Sequence, residues 1–98
     1  MPQLFVVIRT HGPGWDQSLP LDRQTGWAAH AAFMDGLTAE RFVALGGPLE
    51  GTDEALLVMR ANDAVEIAQR LAADPWEQNG LLSTKRICQW RVRLGSLT

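Results

Sequence analysis

The residue of this 98-residue chain best suited to moving a proton is His30, set in Trp27-Ala28-Ala29-His30-Ala31-Ala32-Phe33-Met34. At helical spacing it shares a side with Met34 and Leu37, and an imidazole among apolar neighbours can act as general acid or base near neutral pH. The same position also suits a core-edge histidine satisfied by a backbone carbonyl or water. Asp74 is the second candidate: a carboxylate closing one helix opposes the negative end of its dipole, a mismatch on the order of 0.3–1 kcal/mol. Yet Asp74-Pro75-Trp76-Glu77 is also a good start for a further helical turn, with the aspartate as cap and proline at the first helical position. If His30 and Asp74 meet, the carboxylate fixes one imidazole tautomer and leaves the other ring nitrogen to work on a substrate carbon.

Other residues could hold a ligand. Gly46 and Gly47, followed by Pro48, let backbone approach closely and offer N–H groups to a carboxylate or enolate oxygen, or else form a bulge ending a strand. Arg9 could pair with an anionic substrate, or simply be a solvated strand end. His11 joins the site only if the loop beginning there folds back over it. Trp15, Trp27, Trp76 and Trp90 are many indoles for a short chain and suggest either a packed interface, the preferred reading, or an aromatic pocket wall. Cys88, the single cysteine, reads as a buried small hydrophobe.

The elements that must position these residues follow from pattern. Leu4 to Ile8 is a β-branched apolar run, a strand buried on both faces. Glycines and prolines then keep residues 11–22 irregular, a connection long enough to act as a lid. The spacing of Trp27, His30, Met34, Leu37 and Arg41 predicts a helix from Arg23 to Arg41. Phe42 to Leu45 and Ala55 to Met59 are strands joined through Gly46-Gly47-Pro48 and Gly51-Thr52-Asp53. Asp63 and Glu66 form a capping box ahead of Ala64, Ile67, Ala68 and Leu71, and Pro75 ends that helix. A short turn opened by Asp74 ends at Asn79-Gly80, and a last strand runs from Thr84 to about Leu94.

The order βαββαβ is the ferredoxin-like arrangement, α+β, with a four-stranded antiparallel sheet and two helices on one face. The first and third strands read apolar on both sides, so the uncovered face would leave several hundred Å² of apolar surface in water, forgoing on the order of 10 kcal/mol. A second copy on that face, making a dimeric α+β barrel, removes the cost.

Composition sets the outer bounds. The length fits one domain, residues 1–98, and 46% hydrophobic with 20% charged residues is a globular composition. A net charge of −2 provides no field for a polyphosphate, so nucleic acid is not an expected partner. There is no zinc-ligand cluster, phosphate loop or membrane-length apolar run; neither metal, cofactor nor membrane is expected, and a lone cysteine without a leader pattern points to the cytosol.

His30, then Gly46-Gly47-Pro48, Gly51, and Asp74-Pro75-Trp76 with Gly80, in that order between Leu4 and Trp90, resemble the YCII-related (YciI-like) family. The resemblance implies a ferredoxin-like fold paired as a dimeric α+β barrel, with a proposed site at His30 and Asp74. It further implies a lyase or isomerase working without a cofactor on a small unsaturated organic acid. The loop 11–22 is longer than in minimal members, which leaves the substrate open, and Trp76 stands where Phe or Tyr is more usual. Two other classes fit the same pattern: a non-catalytic ligand-binding or structural dimer, and a cofactor-free monooxygenase of the related barrels.

Overall fold

The computed structural model describes residues 2–97. Its strands are β1 (Gln3–His11), β2 (Val43–Pro48), β3 (Glu54–Ala61) and β4 (Leu82–Gln89); its helices are α1 (Trp27–Ala39), α2 (Ala64–Leu71) and the single turn α3 (Pro75–Gln78). The sheet order is β2-β3-β1-β4 with every pairing antiparallel, which is the ferredoxin-like topology. No helix among the described residues is long and apolar enough to cross a membrane.

Strand alternation divides the sheet into two faces. Phe5 and Val7 of β1 and Leu57, Met59 and Ala61 of β3 bury against Leu37 of α1 and Ile67 and Leu71 of α2. Arg9 is the next inward residue of β1, so the buried row passes from apolar to charged at the end of the core. Leu4, Val6 and Ile8 point the opposite way. Val6 stands between Val58 and Cys88, and Ile8 opposite Leu56, so these side chains line the face without helices. Cys88 is thus half-buried on the open face rather than inside the core.

Several element boundaries differ from the periodicity. A 3-10 turn at Leu21–Arg23 precedes α1, and Gly26, with φ +77°, sits at the N-cap, so the helix starts at Trp27 rather than at Arg23. At its other end Arg41, with φ 68°, takes the left-handed position usually given to glycine. The Arg41 amide donates to Thr38 O at 2.9 Å and the Phe42 amide to Leu37 O at 3.0 Å, a Schellman closure that stops the helix before Arg41. β2 continues through Gly46-Gly47-Pro48, because on an edge strand a proline need not donate inward. β4 leaves the sheet after Gln89, since β1 has only two more residues to pair with and the Trp90 amide already closes on Leu4 O at 2.8 Å.

His11 is the last residue of β1 rather than part of the loop, and the loop that follows is tightly held. A Cβ on Gly12 would stand 2.2 Å from the carbonyl oxygen of Gly80, so only glycine permits this approach. There the Gly12 amide donates to Leu81 O at 2.8 Å and the Gly14 amide to Gly80 O at 2.9 Å. Gln24, buried, donates to Asp16 O and Leu19 O and accepts from the Asp16 amide. These bonds fix Trp15 over the end of the sheet.

Candidate active site

Asp74 lies at the centre of the site because of its position in the chain. Pro75 supplies the first residue of α3, and the Asp74 side chain caps that turn by accepting from the Trp76 amide at 2.9 Å. The capping aspartate is thus the same carboxylate that meets His30. Its oxygens also stand 2.9 Å from Nδ1 of His30, and Oδ2 accepts from Nη1 of Arg9 at 2.8 Å. His30 and Asp74, 44 residues apart in sequence, are in direct contact.

The electrostatics follow from burial and donors. Asp74 has no exposure to water, which by itself pushes its pKa up. Hydrogen bonds from His30, Arg9 and the Trp76 amide, with the charge of His30, outweigh burial and hold its carboxyl below the usual carboxylate range. An ionised carboxylate only accepts, so Nδ1 of His30 carries the proton of this bond. Nε2 of His30 makes no hydrogen bond among the described residues and is left for the cavity that His30 lines.

Two aromatic contacts fix the imidazole plane. Trp76, fully buried, stacks on the ring of His30 with centroids 3.8 Å apart and planes at 6°. Its Nε1–H donates to Thr25 O at 2.8 Å, locking the indole against the residue before the Gly26 cap. Trp27 tilts against both rings, and Trp15 meets Trp76 edge-on. Three of the four tryptophans thus surround the site within one protomer, against the preferred expectation of an interface; Trp90 lies apart from them, part-exposed.

A cavity of about 450 Å³ opens between α1 and the β2–β3 hairpin. Its wall includes Arg9, His11, His30, Gly46, Gly47, Pro48 and Trp76, while Asp74 sits behind His30 and outside the wall. The rest of the lining is mostly apolar, with Met34, Val43, Leu57 and Leu82. A Cβ on Gly46 would come within 2.6 Å of Cδ2 of Leu57, whereas one on Gly47 would meet nothing within 4 Å. Arg9 is 1% exposed, not a solvated strand end, and its charge is already shared between two carboxylates. Nη1 bonds Asp74, and Nη2 bonds Oε2 of Glu77 at 2.9 Å, leaving the buried Nε without a partner.

The YCII-related domain model matches residues 4–91. The chain belongs to this family. Among solved structures, this YCII-related chain is similar to 5-chloro-2-hydroxyhydroquinone dehydrochlorinase from Burkholderia phenoliruptrix AC1100, in complex with 2,5-dihydroxybenzoquinone. The two are 27% identical, with a TM-score of 0.70 over 90% of this chain and 93% of the dehydrochlorinase. No curated protein matches the sequence.

Two contributors were not singled out from the sequence. Glu77 read only as a first-turn acid of α3, yet it holds Arg9 and accepts from Oγ1 of Thr84 at 3.3 Å. Gln24 fell at the start of the helix expected from Arg23, and nothing local foretold its burial at the end of the 3-10 turn before α1. For Glu77 a signal existed: two acids three residues apart, flanking Pro75-Trp76, can face one cation.

Asp74 gives the site a definite acid response. Its native pKa lies below its unfolded value, so its contribution to stability is complete above about pH 4 and is lost as pH falls through the native pKa. Asp74→Asn, which strands Arg9 and His30, should cost about 3–5 kcal/mol near neutral pH, a drop in Tm on the order of 10 °C or more. Thermal melts of both proteins should differ most at pH 7 and converge below about pH 4; a gap unchanged down to about pH 2 would contradict the assignment.

Proposed function

We propose that the protein is an acid–base enzyme, a lyase or isomerase needing no cofactor, that moves a proton on a small unsaturated organic acid. The observation that carries this reading is the single orientation of His30: Nδ1 on the buried Asp74 and Nε2 toward an apolar-walled cavity. Asp74 acts as a positioning residue, keeping the proton on Nδ1 so that the Nε2 lone pair is free to accept one from carbon. The wall of Trp27, Met34 and the His30 ring suits a flat, conjugated molecule. Support also comes from the similar dehydrochlorinase, named for an elimination and bound to a quinone. Dihydroxybenzoquinone is itself a vinylogous acid, the same chemical class.

Gly46, Gly47 and Pro48 shape the far wall of the cavity. The absence of a side chain at Gly46 leaves room for Leu57, and Gly47 leaves backbone open to a ligand oxygen. Arg9 serves through Asp74 and Glu77, its buried guanidinium holding both carboxylates in place.

The working unit in this reading is a cytoplasmic homodimer that packs the open sheet faces together. Support comes from Val6, Ile8 and Leu56, half-buried on that face, and from Leu45, 57% exposed beside them.

Two experiments test these statements. Incubation in D2O with 2,5-dihydroxybenzoquinone and a panel of small unsaturated acids, followed by 1H NMR, should show catalysed exchange of carbon-bound hydrogen. His30→Ala should slow it by about 100-fold or more while the protein stays folded; equal exchange would reject the role and favour a purely structural His30–Asp74 pair. Light scattering should give twice the 10.8 kDa chain mass, falling to one chain in Leu56→Glu; a wild-type monomer would refute the dimer.

A further inference from the structure

His11 closes β1, and its backbone is fixed by donation of its amide to Asp53 O at 2.9 Å. Its ring lies flat on Trp15, with centroids 3.7 Å apart and planes at 9°. Nδ1 is buried without a hydrogen bond and stands 3.6 Å from Oδ1 of Asp53. Nε2 makes no hydrogen bond among the described residues, and His11 lines the same cavity as His30.

The two histidines therefore stand in matching settings. Each ring is stacked on an indole, each turns Nδ1 toward an aspartate, and the two indoles meet edge-on at 5.4 Å. They differ in tightness: Asp74 is sealed behind His30, whereas Asp53 is 69% exposed. The inner pair reaches water only on the imidazole side, whereas both members of the outer pair are in contact with it.

We infer that His11 is the second acid–base group of this cavity, a step that rests on the proposed proton transfer at His30. Elimination and isomerisation each need a proton removed at one atom and delivered at another. Nε2 of His30 takes the proton from carbon, and the C–H electron pair becomes the new π bond. In an elimination the bond to the leaving group breaks with its own pair, and Nε2–H of His11 protonates the departing atom. In an isomerisation the displaced π pair takes that proton at another carbon. Water then exchanges protons with both imidazoles, and His11, at the wetter end, resets first. A general acid in this place follows from the long glycine-rich connection, whose bonds at Gly12, Gly14 and Gln24 hold Trp15 beneath the ring.

The test titrates the protein with 2,5-dihydroxybenzoquinone and follows the Cε1–H resonances of both histidines by NMR. Both should move with one shared Kd. His11→Asn should bind this probe about tenfold more weakly and exchange its ring hydrogens into D2O about 100-fold more slowly, with the His30 resonance and the Tm kept. If only the His30 resonance moves, and His11→Asn binds and exchanges as the wild type does, His11 is idle and the role of His30 stands. If the His11 resonance moves but its variant exchanges normally, the acid role is overturned and a contact remains. If neither resonance moves, both readings fall.

Discussion

A carboxylate with no access to water is tolerable only when donors satisfy its oxygens, and at Asp74 those donors come from three separate elements. The Trp76 amide belongs to α3, the His30 imidazole to α1 and the Arg9 guanidinium to β1. Removing any of them leaves a buried charge short of a partner. One side chain thus joins a helix, a strand and a turn, and its requirement for donors fixes the imidazole that faces the cavity. Glu77 completes the arrangement by balancing the far side of Arg9.

The core and the site share one strand register. Phe5, Val7 and Arg9 are successive inward residues of β1, so the apolar interior gives way to the ionic group within one step of the alternation. Beyond that step the packing is aromatic: Trp76, Leu81 and Leu82 with Trp15 and Trp27 form a second cluster around the cavity end. Indoles suit this position because they fill volume, exclude water from the Asp74–His30 bond and still leave an N–H for the Thr25 carbonyl. The mostly apolar wall of the cavity places the His30 ring in a medium that strengthens its polar contacts.

Much of this was legible in the sequence. The order of strands and helices followed from runs such as Leu4 to Ile8 and from the caps at Asp63 and Asp74, both of which accept amides as their spacing implies. Contact between His30 and Asp74 was legible only through the family resemblance, since no local rule links residues 44 apart. The boundaries missed were those decided by tertiary contacts. Arg41 adopts a left-handed turn without glycine, Gly26 caps α1 where Trp76 packs against it, and β4 stops because its partner strand runs out. The burial of Arg9 was hidden for the same reason: its partners lie 65 and 68 residues away.

The protonation of the two ring nitrogens of His30 in its neutral form, read from long-range 1H–15N NMR correlations, tests the account most directly. A proton on Nδ1 and a bare, pyridine-like Nε2 is the result required by an ionised Asp74 behind the ring. A neutral His30 carrying its proton on Nε2 would contradict it, because the cavity would then face a donor and no base.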